Sequence, residues 1–142
     1  MSGAVNVVNR NMVAFNARDI DKLLDNQRPD VEYMLPGGIT FRGRDQVKHY
    51  VQTFWSAFPD GRLARIGQVA TEDMAATEAL FTGTHTGPLS TPSGSIAPTG
   101  KPINLRQVFV HRIEDGWIAS EHVYLDQLEF LTQLGLAGAP VG

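Results

Sequence analysis

The spacing of apolar residues changes half-way along the chain, and that change constrains the fold more than any single motif. Val5, Val8, Met12 and Phe15 recur at helical spacing, and Asp19 is placed to cap a short second helix carrying Ile20, Leu23 and Leu24. From Asp45 to Phe58 the apolar residues Val47, Tyr50, Val51, Phe54, Trp55 and Phe58 make one broad helical face. Between these helices, Val31 to Leu35 reads as a short strand that ends at the Pro36-Gly37-Gly38 turn. After Asp60-Gly61 the pattern is strand-like, in four stretches near 62–71, 75–86, 102–114 and 117–125. Glu72-Asp73 and Asp115-Gly116 are the turns that join them in pairs.

Helices first and an antiparallel meander afterwards predict an α+β fold: a cone-shaped curved antiparallel sheet wrapped around three N-terminal helices. The hollow between the two layers is a deep pocket. The 142 residues fit one domain, 1–142, large enough for a core and a pocket. The Gly-, Pro- and Ser-rich stretch GPLSTPSGSIAPTGKP is too short for a domain linker and reads as a long loop over a cavity mouth.

Composition excludes several functions. A net charge of -3 without a basic run gives no nucleic-acid surface, and no apolar stretch is long enough for a membrane span, so neither nucleic acid nor membrane is expected as a partner. A cytoplasmic location is the default expectation. The absence of cysteine removes disulfides, thiolate nucleophiles and cysteine zinc sites, and the remaining residues offer no metal site. SGSIAPTGKP departs from a phosphate loop: five residues separate Gly94 from Gly100, and Pro102 stands where a magnesium-binding hydroxyl belongs. GTHTG has histidine where a nucleophile elbow needs serine.

Strand alternation sorts the side chains that can line the hollow. In 117–126, Ile118, Ser120, His122, Tyr124 and Asp126 share one face, and Trp117, Ala119, Glu121, Val123 and Leu125 the other. The first set is read as the pocket side, which places Asp126 beside a tyrosine and a histidine. In 103–112, Ile103, Leu105, Gln107, Phe109 and His111 suit a pocket wall, while the Arg106 and Arg112 face suits a wet or subunit-facing side. His49 and His111 carry no signal beyond position.

GTHTG at 83–87, APTGK at 97–101, EDGWI at 114–118, and Asp126 followed by QLG at 133–135 together resemble the SnoaL-like polyketide cyclase family. FNARDIDKLL and RPDVEYMLP, within 15–36, extend the resemblance over nearly the whole chain. It implies a fold like nuclear transport factor 2 and ketosteroid isomerase, a homodimer or higher homo-oligomer formed through the outer sheet face, and no cofactor. It also implies an intramolecular aldol cyclisation of a polycyclic aromatic polyketide ester, with an aspartate, matched by Asp126, as general acid/base. One carboxylate can take a proton from carbon and return it to the new alkoxide. The alternative reading of Asp126 is a helix N-cap to 127–134, and a capping aspartate at a strand end can still face a cavity.

A carboxylate of ordinary pKa is a weak base for carbon, so the reaction needs a donor for the developing oxyanion. Gln107 matches a pocket position of the family, and His122 has the parity to join Asp126 although roughly 13 Å along the strand. Phe15, Tyr33, Tyr50, Phe54, Phe58 and Phe109, with His85 and Tyr124, are the candidate walls for a flat hydrophobic substrate. Phe15 and Tyr50 match family positions where side chains vary, and Phe109 stands where some relatives have histidine. The same residues also fit a related isomerase, hydratase or epoxide hydrolase, or a non-catalytic small-ligand binder.

Overall fold

The computed structural model describes residues 3–91 and 93–137. The N-terminal helices are α1 (Gly3–Asn16) and α2 (Ile20–Asp25), followed by strands β1 (Gln27–Leu35) and β2 (Ile39–Arg42) and helix α3 (Gly43–Ala57). Strands β3 (Arg62–Ala70) and β4 (Met74–Thr84), a small hairpin β5 (Leu89–Thr91) and β6 (Gly94–Ile96), the long strands β7 (Pro102–Glu114) and β8 (Trp117–Tyr124), and helix α4 (Gln127–Gln133) complete the order. The predicted α+β class holds, and the second helix is capped as expected: Asp19 accepts a hydrogen bond from the Lys22 amide.

The main sheet runs β2-β1-β8-β7-β4-β3. It is mixed where a purely antiparallel sheet was expected, because β1 lies parallel to β8. Strand β1 also starts earlier than the Val31 expectation, with Pro29 and Asp30 inside an irregularity between Gln27 and Glu32 where pairing to β8 lapses. Proline can occupy a strand only where its missing N–H is not needed. The Asp115-Gly116 turn is as read: both residues have positive φ, 53° and 80°, matching the twist of a tight hairpin.

Two apolar clusters fill the cone. One gathers Val7, Val8, Leu23, Val31, Val47 and Ile118 under α1 to α3, and the other gathers Phe58, Phe81, Leu89, Ile103 and Leu134. The segment 87–102 departs from the cavity-mouth expectation. It folds into the β5–β6 hairpin and buries Leu89 in the second cluster, and none of its described residues lines the cavity. Gly87 allows that approach, since a Cβ there would collide with the Ser56 carbonyl oxygen.

His85 ties the end of this segment down. Its amide donates to the Lys101 carbonyl at 2.9 Å, its carbonyl accepts from the Gly100 amide at 2.8 Å, and Nδ1 accepts from the Thr99 amide at 3.2 Å. An amide can only donate, so the imidazole is neutral here, and burial pushes its pKa down. The folded state therefore holds fewer protons than the unfolded chain once the pH falls below about 6.5, the free histidine value. His85's contribution to stability is complete above that pH and is lost as the pH falls further. Melting from pH 7.5 to pH 5 is expected to show a loss of a few degrees in the wild type that His85→Asn reduces.

Candidate active site

The cavity lies between the helices and the inner faces of β7 and β8, about 90 Å³ in volume, room for several water molecules. Its walls are largely aromatic: Phe15 from α1, Tyr50 and Phe54 from α3, Phe81 from β4, Phe109 from β7 and Phe130 from α4. Gln107, Phe109 and His111 enter it from alternate positions of β7, on the wall that strand parity assigned.

Parity on β8 is the reverse of the reading from sequence. Arg112 pairs with Ser120 but Ile113 pairs with Ile118, so Ala119 is an extra residue on β8. Such a bulge flips the alternation beyond it. Ile118 faces inward on one side of the bulge, and Glu121, Val123 and Leu125 face inward on the other. His122, Tyr124 and Asp126 are thereby turned away from the cavity, His122 half-buried and the other two exposed.

Glu121 is the group that the bulge brings in. It stands directly opposite His111 on β7 and Tyr33 on β1. Its Oε1 lies 2.7 Å from His111 Nε2, with the two residues 6% and 4% exposed. An ionised carboxylate can only accept, so Glu121 takes a hydrogen bond from His111 Nε2–H, and in the neutral ring the lone pair is then on Nδ1. Nδ1 is buried and has no hydrogen-bond partner among the described residues. An acidic residue also orients the histidine base in catalytic triads, there through Nδ1–H with Nε2 as the base, whereas here the carboxylate is on Nε2.

The pair carries polar neighbours. Burial first, and the charge of Glu121 second, push the phenols of Tyr33 and Tyr50 far up, while the Gln27 side chain acts in the opposite sense on Tyr33. Both hydroxyls therefore stay protonated at neutral pH and can donate. Beneath them Gln27 Nε2 donates to Asn11 Oδ1 at 3.0 Å, and Asn11 itself lines the cavity. Among the described residues no group of three or more His, Asp or Glu side chains could hold a metal ion.

The predicted site residues separate into two groups. Gln107, Phe15, Tyr33, Tyr50, Phe54 and Phe109 meet at the cavity. Phe58 is fully buried in the second cluster behind the cavity wall, packed on Phe54, Phe81 and His85, and His85 is buried beside it. Asp126 is the N-cap of α4, its Oδ1 accepting from the Glu129 amide at 3.1 Å. Asp126→Ala is expected to loosen α4 by about 1 kcal/mol, roughly fivefold faster amide exchange at Glu129 and Phe130. His111 and Glu121, missed from sequence, carried one usable signal: His111 already had the inward parity of Gln107 and Phe109.

Solved structures with this architecture are numerous. A candidate SnoaL-like polyketide cyclase from Jannaschia sp. CCS1 superposes with a TM-score of 0.83 at 19% identity, covering 95% of this chain and 92% of that one. IdmH, a candidate polyketide cyclase from Streptomyces antibioticus, gives 0.77 at 27% identity over 92% and 97%. AclR, a candidate hydroxylase from Streptomyces galilaeus, gives 0.79 at 21% identity over 96% and 87%. No curated protein matches the sequence. The family model for SnoaL-like polyketide cyclases matches residues 6–134. With that match over nearly its whole length, the chain belongs to the SnoaL-like polyketide cyclase family.

Proposed function

We propose that the protein is a cofactor-independent acid/base enzyme that closes a ring by intramolecular aldol addition on a flat aromatic polyketide ester, with His111 as the base. The observation that carries this reading is the buried Glu121–His111 pair in an aromatic cavity, with Nδ1 of His111 unpartnered among the described residues. Asp126, at the tip of α4 and exposed, then serves as a helix cap.

Nδ1 takes a proton from a carbon flanked by two carbonyl groups, and the electron pair of that C–H bond becomes an enolate. Glu121 stabilises the imidazolium so formed without itself taking the proton, as an acidic partner does in the triad mechanism. Tyr50, on the cavity wall and feeling the Glu121 charge, donates to the enolate oxygen. Tyrosine and a second donor do the same in ketosteroid isomerase. The enolate carbon attacks a ketone carbon in the same molecule, forming the C–C bond, and the new alkoxide recovers the proton from His111. Gln107 lies four residues along β7 from His111, about 13 Å at strand rise, and its amide meets a carbonyl at the far end of the ring system.

The test is turnover of a panel of anthraquinone-type β-keto esters and simpler cyclisable diketones, followed by the loss of substrate absorbance and the mass-neutral appearance of product. The reading expects ring closure by the wild type and its loss in Glu121→Gln. Binding without ring closure across the panel would make the chain a ligand carrier.

A further inference from the structure

The interior cavity has a neighbour at the place where β1 and β8 part. Met34 and His122 form the last pair between β1 and β8. Beyond them β1 ends at Leu35 and turns through Pro36 towards β2, while β8 runs on to Tyr124 beside β7. The two strands part, and the opening is a cleft of about 210 Å³ lined by Met34, Leu35, Pro36, His122, Tyr124 and Leu125 among others. Leu125 also lines the interior cavity. Leu125 is thus common to the walls of the inner space, about 90 Å³, and the outer one, about 210 Å³.

We infer that the outer cleft is the second half of the ligand site, and that Leu125 is the gate through which a substrate too long for the interior passes. The inference rests on the reading of the interior cavity as a small-molecule site. Three features support it. The interior is walled by flat rings, Phe15, Tyr50, Phe54, Phe81, Phe109 and Phe130, which suit the ring system of a ligand more than its substituent. Leu125 and Asp126 lie outside regular structure between β8 and α4, so the leucine changes rotamer without breaking a strand or helix hydrogen-bond ladder. The cleft is chemically graded, with apolar Met34, Leu35 and Pro36 along it and the Tyr124 hydroxyl, on a residue 58% exposed, at its solvent side with the His122 imidazole. The ligand class that fits is an aromatic ketone carrying an apolar chain, with an oxygen function at the distal end for Tyr124 or His122.

Binding of 2-hydroxy-1,4-naphthoquinones with 3-alkyl chains of two, six and ten carbons tests this directly, by calorimetry or quenching of Trp55 and Trp117. The wild type is expected to tighten by about fourfold per methylene that enters the cleft. Met34→Glu, an exposed change remote from the dyad, keeps the two-carbon affinity and loses the gain from longer chains. Leu125→Trp, which plugs the gate, loses the same gain, and circular dichroism checks that both variants are folded. Equal affinity at all three lengths, a gain retained in both variants, or no binding at any length overturns the inference. So does a length-independent affinity accompanied by a change from dimer to monomer in Met34→Glu, which would assign the cleft to a second copy of the chain. These readings need no turnover: a chain-length effect without ring closure leaves the cleft standing and removes the acid/base mechanism, and ring closure with a flat series does the reverse.

Discussion

Glu121→Gln is expected to lower the ring-closing turnover by about 10²- to 10⁴-fold with affinity for an aromatic ketone retained. The exchange keeps the size of the side chain and its oxygen acceptor for His111 Nε2, 2.7 Å away in the wild type. What it removes is the negative charge that stabilises the imidazolium while His111 holds the substrate proton. That stabilisation is needed in the transition state and hardly at all in the ground state, so the loss falls on kcat and not on KM. His111→Gln keeps a donor for Glu121 and removes the base, and it is expected to lie at the same level as Glu121→Gln. Combining the two should cost little more than either alone, as for residues that act as a unit. A loss confined to KM would make the pair a binding element.

Phe58→Ala carries the largest expected effect on stability, about 3–5 kcal/mol, or roughly 10–15 °C in melting temperature. The ring has no solvent exposure and sits within 5.4 to 6.4 Å, centroid to centroid, of Phe54, Phe81, His85 and Phe130. Truncation leaves a void that these neighbours cannot close together, since Phe81 is also packed on Phe15 and Phe54. Ligand affinity measured well below the melting temperature should stay within a few-fold of wild type, because Phe58 does not line the cavity. This separates Phe58 from Phe54, one turn earlier on α3, whose ring is half-buried and faces the ligand space. Phe54→Ala is the substitution that should weaken binding.

The contrast between those two phenylalanines shows where sequence reading succeeds and where it stops. Helical spacing identifies the inward face of α3, and both residues lie on it, but spacing does not say which of two neighbours reaches the cavity and which fills the core behind. Strand parity worked for β7, where thirteen residues alternate without interruption, and it put Gln107, Phe109 and His111 on one wall. On β8 the same argument was applied correctly from Trp117 and inverted at Ala119, because a single bulged residue reverses every later side chain. Nothing in EDGWIASEHVYLD marks the bulge. That one displacement exchanged Glu121 for Asp126 as the carboxylate facing the hollow, and with it hid the partner of His111. The parallel β1–β8 contact was equally invisible, since Val31 to Leu35 read as a short strand between helices, apart from the later meander, and nothing local marks β8 as its neighbour.

Helix caps and turns, by contrast, are local and were legible. Asp19 and the Asp115-Gly116 pair act where the sequence places them because their chemistry is satisfied within a few residues. Asp126 belongs to the same class, since its capping bond reaches only three residues along the chain. The family resemblance and its parity with His122 and Tyr124 made it a site candidate, and the structure shows it as the exposed N-cap of α4.

The most direct test of the central claim reads proton abstraction itself. With a β-keto ester bound in deuterated buffer, exchange of the proton on the carbon between the two carbonyls is followed by NMR, below the time in which the ring closes. The account predicts enzyme-promoted exchange by the wild type and by Asp126→Asn at similar rates, and exchange reduced to the buffer rate in His111→Gln. Exchange that persists in His111→Gln and disappears in Asp126→Asn would contradict it and return the acid/base role to the end of α4.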